Sequence, residues 1–143
     1  MHYLLLFSLL LPAIHAPIRQ DDVVGTWLTA GDDAAKVSIY KSGGKYYGKI
    51  IWLQIPTEDG RPRVDKNNDD PAHRNDPVIG MVLVKDFVWD EEDEEWNSGT
   101  VYDPKSGNTY SGHMKLVDKN KLKLRGYIGI SLIGRTEYWQ RVP

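Results

Sequence analysis

The chain contains no cysteine. This excludes a disulfide framework, a thiolate nucleophile, a cysteine-based zinc site and a lipid anchor attached through sulfur. Basic charge is not in excess either. Eighteen Lys and Arg stand against 20 Asp and Glu, for a formal net charge of −2. That balance offers no basic stripe for nucleic acid. Histidine is scarce: beyond residue 16 only His73 and His113 remain, with no paired-ligand spacing between them. Without a zinc pattern, a nucleophile elbow or a glycine-rich loop before a helix, the expectation is no metal, no cofactor and no catalytic residues. Helical periodicity is also missing. The longest apolar run, Tyr3 to Ile14, is shorter than the ~20 residues that span a bilayer.

That run is informative for another reason. "MHYLLLFSLLLPAIHA" ends in small residues and reads as a signal peptide over residues 1–16, which predicts a periplasmic or secreted protein. It has no Lys or Arg before its apolar stretch, and Pro17 follows the obvious cut, so the cleavage position stays open. Residues 17–143 are then expected to form one domain, stabilised by packing alone.

Period-two alternation dominates this remainder of the chain. In "AKVSIYK", Ala35, Val37 and Ile39 share a face; in "YYGKIIWL", Tyr46, Gly48, Ile50 and Trp52 do. "TYSGHMKLV" groups Tyr110, Gly112, Met114 and Leu116, and "KLKLRGYI" groups Leu122, Leu124, Gly126 and Ile128. "GRTEYWQRV" sets Arg135, Glu137, Trp139 and Arg141 on one side. Short turn signals at "SGGK", "DPKSGN" and "DKN" make neighbours antiparallel hairpins. Glycines at Gly48, Gly112 and Gly126 suit strands that bend as a sheet closes. The predicted fold is all-β: a small antiparallel up-and-down barrel, with an open sandwich as the alternative.

Two segments break the alternation. "DEEDEE" at Asp90–Glu95 reads as a solvated hairpin tip, because adjacent carboxylates repel. The polar connection from Pro56 to Pro77 contains "DKNNDDPAHRND", which resembles a calcium loop. Asp70 stands where an EF-hand needs glycine, Asp76 where it needs glutamate, and strands rather than helices flank it. The alternative is a short helix starting at Pro71, capped by Asp69 or Asp70 and forming a lid. Asp65 and Asn67 would tie its backbone, leaving Arg74 available for a carboxylate.

"VVGTWLT" opens the first strand with glycine two residues before tryptophan, and in this it resembles lipocalins and fatty-acid-binding proteins. What the resemblance implies is a barrel floor in which a C-terminal arginine packs over the Trp27 ring. Arg135 and Arg141 are the choices, and Arg141, nearer the end, is preferred; Gly25 completes the closing group. A broader resemblance rests on "DVVGTWLT", "VSIYKSGGKYYGKIIWL", "DKNNDDPAHRNDPVIGMVL", "SGTVYDPKSGNTYSGHMKL" and "LKLRGYIGISLIGRTEYWQRV". These resemble the bacterial exported family catalogued as domain of unknown function 2147. The implied protein is a lipocalin-like barrel outside the cytoplasm, with no chemistry assigned.

The leading expectation is a binder of a small, partly apolar and even lipid-like molecule, in or at the mouth of the barrel. Its candidate residues are Trp52, Tyr102, Tyr110, Arg125, Tyr127 and Arg135, with Tyr40 and Tyr138 as further aromatics. The alternative is an envelope protein-interaction module with a filled core, using exposed Trp89 and Trp96 as contact points. Cavity volume separates the two.

Overall fold

A computed structural model describes residues 16–127 and 134–143; the signal-peptide reading over residues 1–16 therefore lies almost wholly outside the described residues. The strands are β1 (Gly25–Leu28), β2 (Ala35–Ser42), β3 (Lys45–Leu53), β4 (Thr57–Glu58), β5 (Arg61–Pro62), β6 (Val82–Asp90), β7 (Glu95–Asp103), β8 (Asn108–Asp118), β9 (Lys121–Tyr127) and β10 (Gly134–Arg141). Eight of them close into an antiparallel barrel in the order β1-β10-β9-β8-β7-β6-β3-β2, while β4 and β5 pair separately within the long connection. The fold is the barrel that the alternation predicts, not the open sandwich.

The inward set follows from the apolar positions. Val37 and Ile39 on β2, Met114 and Leu116 on β8, and Leu122 and Leu124 on β9 are all buried. Close approach, more than bending, explains one glycine in the wall. A Cβ on Gly99 would collide with the Phe87 ring, so glycine there lets that fully buried ring lie against β7.

One end of the barrel is solid. A 3-10 turn at Gln20–Val23 crosses it, with Val23 buried. Trp27 donates from Nε1 to Val23 O at 2.9 Å, Trp96 donates to Gln20 O at 3.1 Å, and the Tyr46 hydroxyl donates to Asp21 at 2.6 Å. Arg141 seals the floor, its guanidinium carbon 4.3 Å from the Trp27 ring centroid. The same group donates to the carbonyls of Asp22, Val24 and Lys119. Gly25, at φ 144°, lies so close that a Cβ would sit 2.6 Å from Arg141 Nη1.

Two expectations about facing are corrected. Opposite β2, β3 carries a bulge: Val37 pairs with Ile50 while Lys36 pairs with Trp52. The extra residue, Ile51, shifts the phase, so Leu53 takes the inward place and Trp52 turns out to solvent, 40% exposed beneath Lys36 Nζ. Trp96, expected as an exposed contact point, is fully buried, and the partly buried Trp89 packs against it at 4.8 Å. The acidic run does form a turn between β6 and β7, with Asp90 accepting from the backbone N–H groups of Glu92 and Asp93.

Candidate functional site

The opposite end is the mouth, shaped by the β1–β2 connection, the long connection after β3 and the β7–β8 turn. A cavity of about 160 Å3 opens there. Its apolar lower wall comes from Ala35, Ile50, Leu53, Val101 and Trp139. Trp139 holds the one buried side-chain donor, its Nε1, for which no hydrogen-bond partner is found among the described residues. A recess of about 40 Å3 beside the cavity is lined by Tyr110, Leu124, Gly126, Arg135 and Glu137.

Charged groups ring the upper part: Asp33, Arg63, Asp103, Lys105, Arg135 and Glu137. Most are already engaged. Arg63 donates from Nη1 to both Asp33 oxygens at 2.9 and 3.1 Å, and Lys105 Nζ lies 3.7 Å from the same carboxylate. Asp103 accepts from the Lys105 backbone N–H and the Ser106 hydroxyl, each at 3.0 Å. Arg135 differs: it stands 3.6 Å from Glu137 and 3.8 Å from Asp103, within ion-pair range but beyond hydrogen-bond contact. Its guanidinium lies 5.8 Å from the Tyr110 ring.

The long connection flanks this mouth. Val64 bridges to Pro77, and Val78 is buried in the core. Asp65, only 2% exposed, accepts from the Tyr102 hydroxyl at 2.7 Å and from Asn68 at 2.8 Å. Burial and the neighbouring Asp65 carboxylate together push the Tyr102 phenol well above its ordinary value. Asn67 donates to Lys105 O at 2.9 Å, fastening the loop to the β7–β8 turn. Asp70 caps the 3-10 turn Pro71–His73 by accepting from Ala72 N–H at 2.9 Å. Asp69 contributes only its backbone carbonyl, to Arg74. Arg74 donates to the carbonyls of Asn68 and Asp69, so its expected carboxylate partner is replaced by the loop's own backbone. A hydrogen bond donated by His73 Nδ1 to the Asp76 carboxylate raises the pKa of His73. Between this loop and the outer face of β6 and β7 runs an open groove of about 660 Å3, and Tyr102 lines both groove and cavity.

Of the sequence-predicted ligand residues, the mouth therefore collects Tyr102, Tyr110 and Arg135. Arg125 and Tyr127 do not belong to it. They alternate opposite to Leu124 and Gly126, so Arg125 donates to Thr136 on the outer face and Tyr127 lies beside His113. Tyr40 stacks on Tyr47, and Tyr138 lies under Lys121, 43% exposed. Sequence reasoning missed Asp33, Arg63, Asp103, Lys105 and Glu137. Glu137 carried a signal, since it shares the face of Arg135 and Trp139, and so did Asp103, which falls in the family motif "SGTVYDPKSGNTYSGHMKL" without a role attached. Among the described residues no group of three or more His, Asp or Glu side chains is arranged to hold a metal, and no helix is long and apolar enough to cross a membrane.

An eight-stranded antiparallel barrel, closed at one end and with a small cavity at the other, is a lipocalin-like fold. A solved structure with this fold is described as "Protein HP1028 from the human pathogen Helicobacter pylori belongs to the lipocalin family"; the likeness has a TM-score of 0.73 and 21% identity, over 84% of this chain and 82% of that one. The chain belongs to the family described as "Uncharacterized protein conserved in bacteria (DUF2147)", whose pattern matches residues 25–141. No curated protein matches it.

Proposed function

We propose that this protein binds one small, partly apolar molecule at the mouth of its barrel, and that it does so outside the cytoplasm. The observation that carries the reading is the division of the interior. Trp27, Tyr46, Phe87 and Trp96 fill the lower barrel without exposure, and an apolar cavity remains above Trp139. A cavity of about 150 Å3 takes up a benzene-sized group, whereas pockets for drug-sized ligands span roughly 300–1,000 Å3. The ligand is thus a small molecule or the tip of a larger one. A long acyl chain stretched along the barrel axis would meet indole rings.

Export is part of the same proposal and is supported by the apolar N-terminal run. The reading is binding rather than turnover, because the charges around the cavity are largely committed to one another. The test is native mass spectrometry of the protein purified from its host's envelope, before and after incubation with an extract of that envelope. A small-molecule adduct removed by denaturation is expected; a bare polypeptide mass in both samples refutes the reading.

A further inference from the structure

The inward face of β10 stacks three chemically different groups: Trp139 at the cavity floor, Glu137 one step above, and Arg135 at the rim. Inward positions on a strand are about 7 Å apart, so the ladder spans the depth of a small molecule. The charges around the cavity balance, with Asp33, Asp103 and Glu137 facing Arg63, Lys105 and Arg135. A balanced ring offers no net attraction to a simple anion or cation; it favours a ligand carrying both signs.

Two members of that ring stand out because they are neighbours on one strand and free of hydrogen bonds through their side chains. The Lys105 ammonium, 3.7 Å from Asp33, is also without one among the described residues but sits across the opening on the β7–β8 turn. Asp33 already accepts hydrogen bonds from Arg63, and Asp103 accepts them from the Lys105 backbone N–H and the Ser106 hydroxyl. The side chains of Arg135 and Glu137 make no hydrogen bond to any described residue; they stand 3.6 Å from each other, and Arg135 lies 3.8 Å from Asp103 and 5.8 Å from the Tyr110 ring centroid. Their side chains are 56% and 34% exposed, so both reach solvent at the opening. A guanidinium in that state presents a fork of donors matched to a carboxylate, and a carboxylate in that state accepts from an ammonium.

We propose that the mouth recognises a zwitterion of the amino-acid type. Its ammonium bonds Glu137, its carboxylate bonds Arg135, and its ring-sized apolar side chain enters the cavity over Trp139. The head group inserts between the two side chains and replaces one loose contact with two charge-assisted hydrogen-bonded pairs. This assignment rests on the mouth-binding reading above and adds the chemistry of the head group.

The test uses L-phenylalanine, phenethylamine and 3-phenylpropionate as probes, followed by calorimetry and by amide chemical shifts of the mouth residues. The expected result is that phenylalanine binds at least tenfold more tightly than either probe lacking one charge. Arg135→Gln abolishes the preference over phenethylamine, and Glu137→Gln abolishes the preference over 3-phenylpropionate. Both side chains are open to solvent, and an unchanged thermal midpoint verifies that each variant folds. Equal binding of all three probes overturns the head-group assignment but leaves mouth binding intact. So does an envelope-derived adduct in native mass spectra when phenylalanine shifts nothing. Absence of both adduct and probe binding overturns the two readings together.

Discussion

Alanine at Gly25 tests whether the floor is held by Arg141 or merely decorated by it. The Arg141 guanidinium donates to three carbonyls, those of Val24 and Lys119 at 3.0 and 2.9 Å and that of Asp22, and lies 4.3 Å from the Trp27 ring centroid. Hydrogen bonds from a charged donor contribute about 1.5–3 kcal/mol each, and a part-exposed cation–π contact about 1 kcal/mol. Because these terms act through one side chain they do not add. Arg141→Ala should therefore lower stability by about 3–4 kcal/mol. Gly25→Ala acts on the same group, because its Cβ would stand 2.6 Å from Nη1. The guanidinium is the far end of a flexible chain but is pinned, so it can retreat only by giving up a hydrogen bond. Alanine at φ 144° adds backbone strain of about 1–3 kcal/mol. In an Arg141→Ala background the collision disappears and the strain alone remains. The four proteins of the cycle, unfolded in urea and followed by tryptophan fluorescence, should show a coupling of about 1–2 kcal/mol. Additivity within about 0.5 kcal/mol would refute the assigned contact.

Other parts of the molecule give three further expected outcomes. Tyr102→Phe takes a hydrogen bond from the buried Asp65 carboxylate, which should lower stability by about 1–3 kcal/mol and speed proteolytic nicking in the Pro56–Pro77 connection; unchanged nicking would refute the anchoring role. Gly99→Ala drives a Cβ into Phe87, an overpacking cost of about 1–3 kcal/mol that Phe87→Leu should largely relieve in a double variant measured by urea unfolding. His73 has its pKa raised above the 6.5 of a free imidazole, first by the hydrogen bond to Asp76 and then by the charges of Asp76 and Asp70. A raised folded value means the contact stabilises fully below pH 6.5 and is lost as pH rises through the folded pKa. An NMR titration should place His73 above 6.5, and Asp76→Asn should bring it down; no change on that substitution would exclude the hydrogen bond as the cause.

The barrel was legible because strands with one buried face write their facing in period two. β2, β8 and β9 carry unbroken alternation and turn the face it groups inward, Ile128 lying outside the described residues. On β10 the same face runs from buried Trp139 up to Glu137 and Arg135 at the mouth. Where one residue is inserted the rule fails, since a single extra position exchanges faces: Ile51 does this to Trp52. The irregular pairing beside Ser98, at φ 66°, resets β7 in the same way, and there Trp96 pairs with Met114 and is buried. Arg125 and Tyr127 show a different failure. Their alternation against Leu124 already put them outside, but an arginine or a tyrosine suits a ligand by its chemistry whichever way it points. The rest of the charge ring was illegible for a topological reason. Asp33, Arg63 and Lys105 come from three separate connections, and only closure of the sheet brings them to one opening.

The seam between β1 and β10 consists of just two residue pairs, Trp27 with Arg141 and Leu28 with Gln140. Joining positions separated by about a hundred residues costs about 4 kcal/mol of chain entropy, more than so short a ladder repays. The arginine cap therefore tips the balance between a cylinder and a curled, unzipped sheet. It also ties that outcome to the end of β10. The search for this distant pairing should set the folding rate, and a chain truncated just before Arg141 would be left with its seam unfastened.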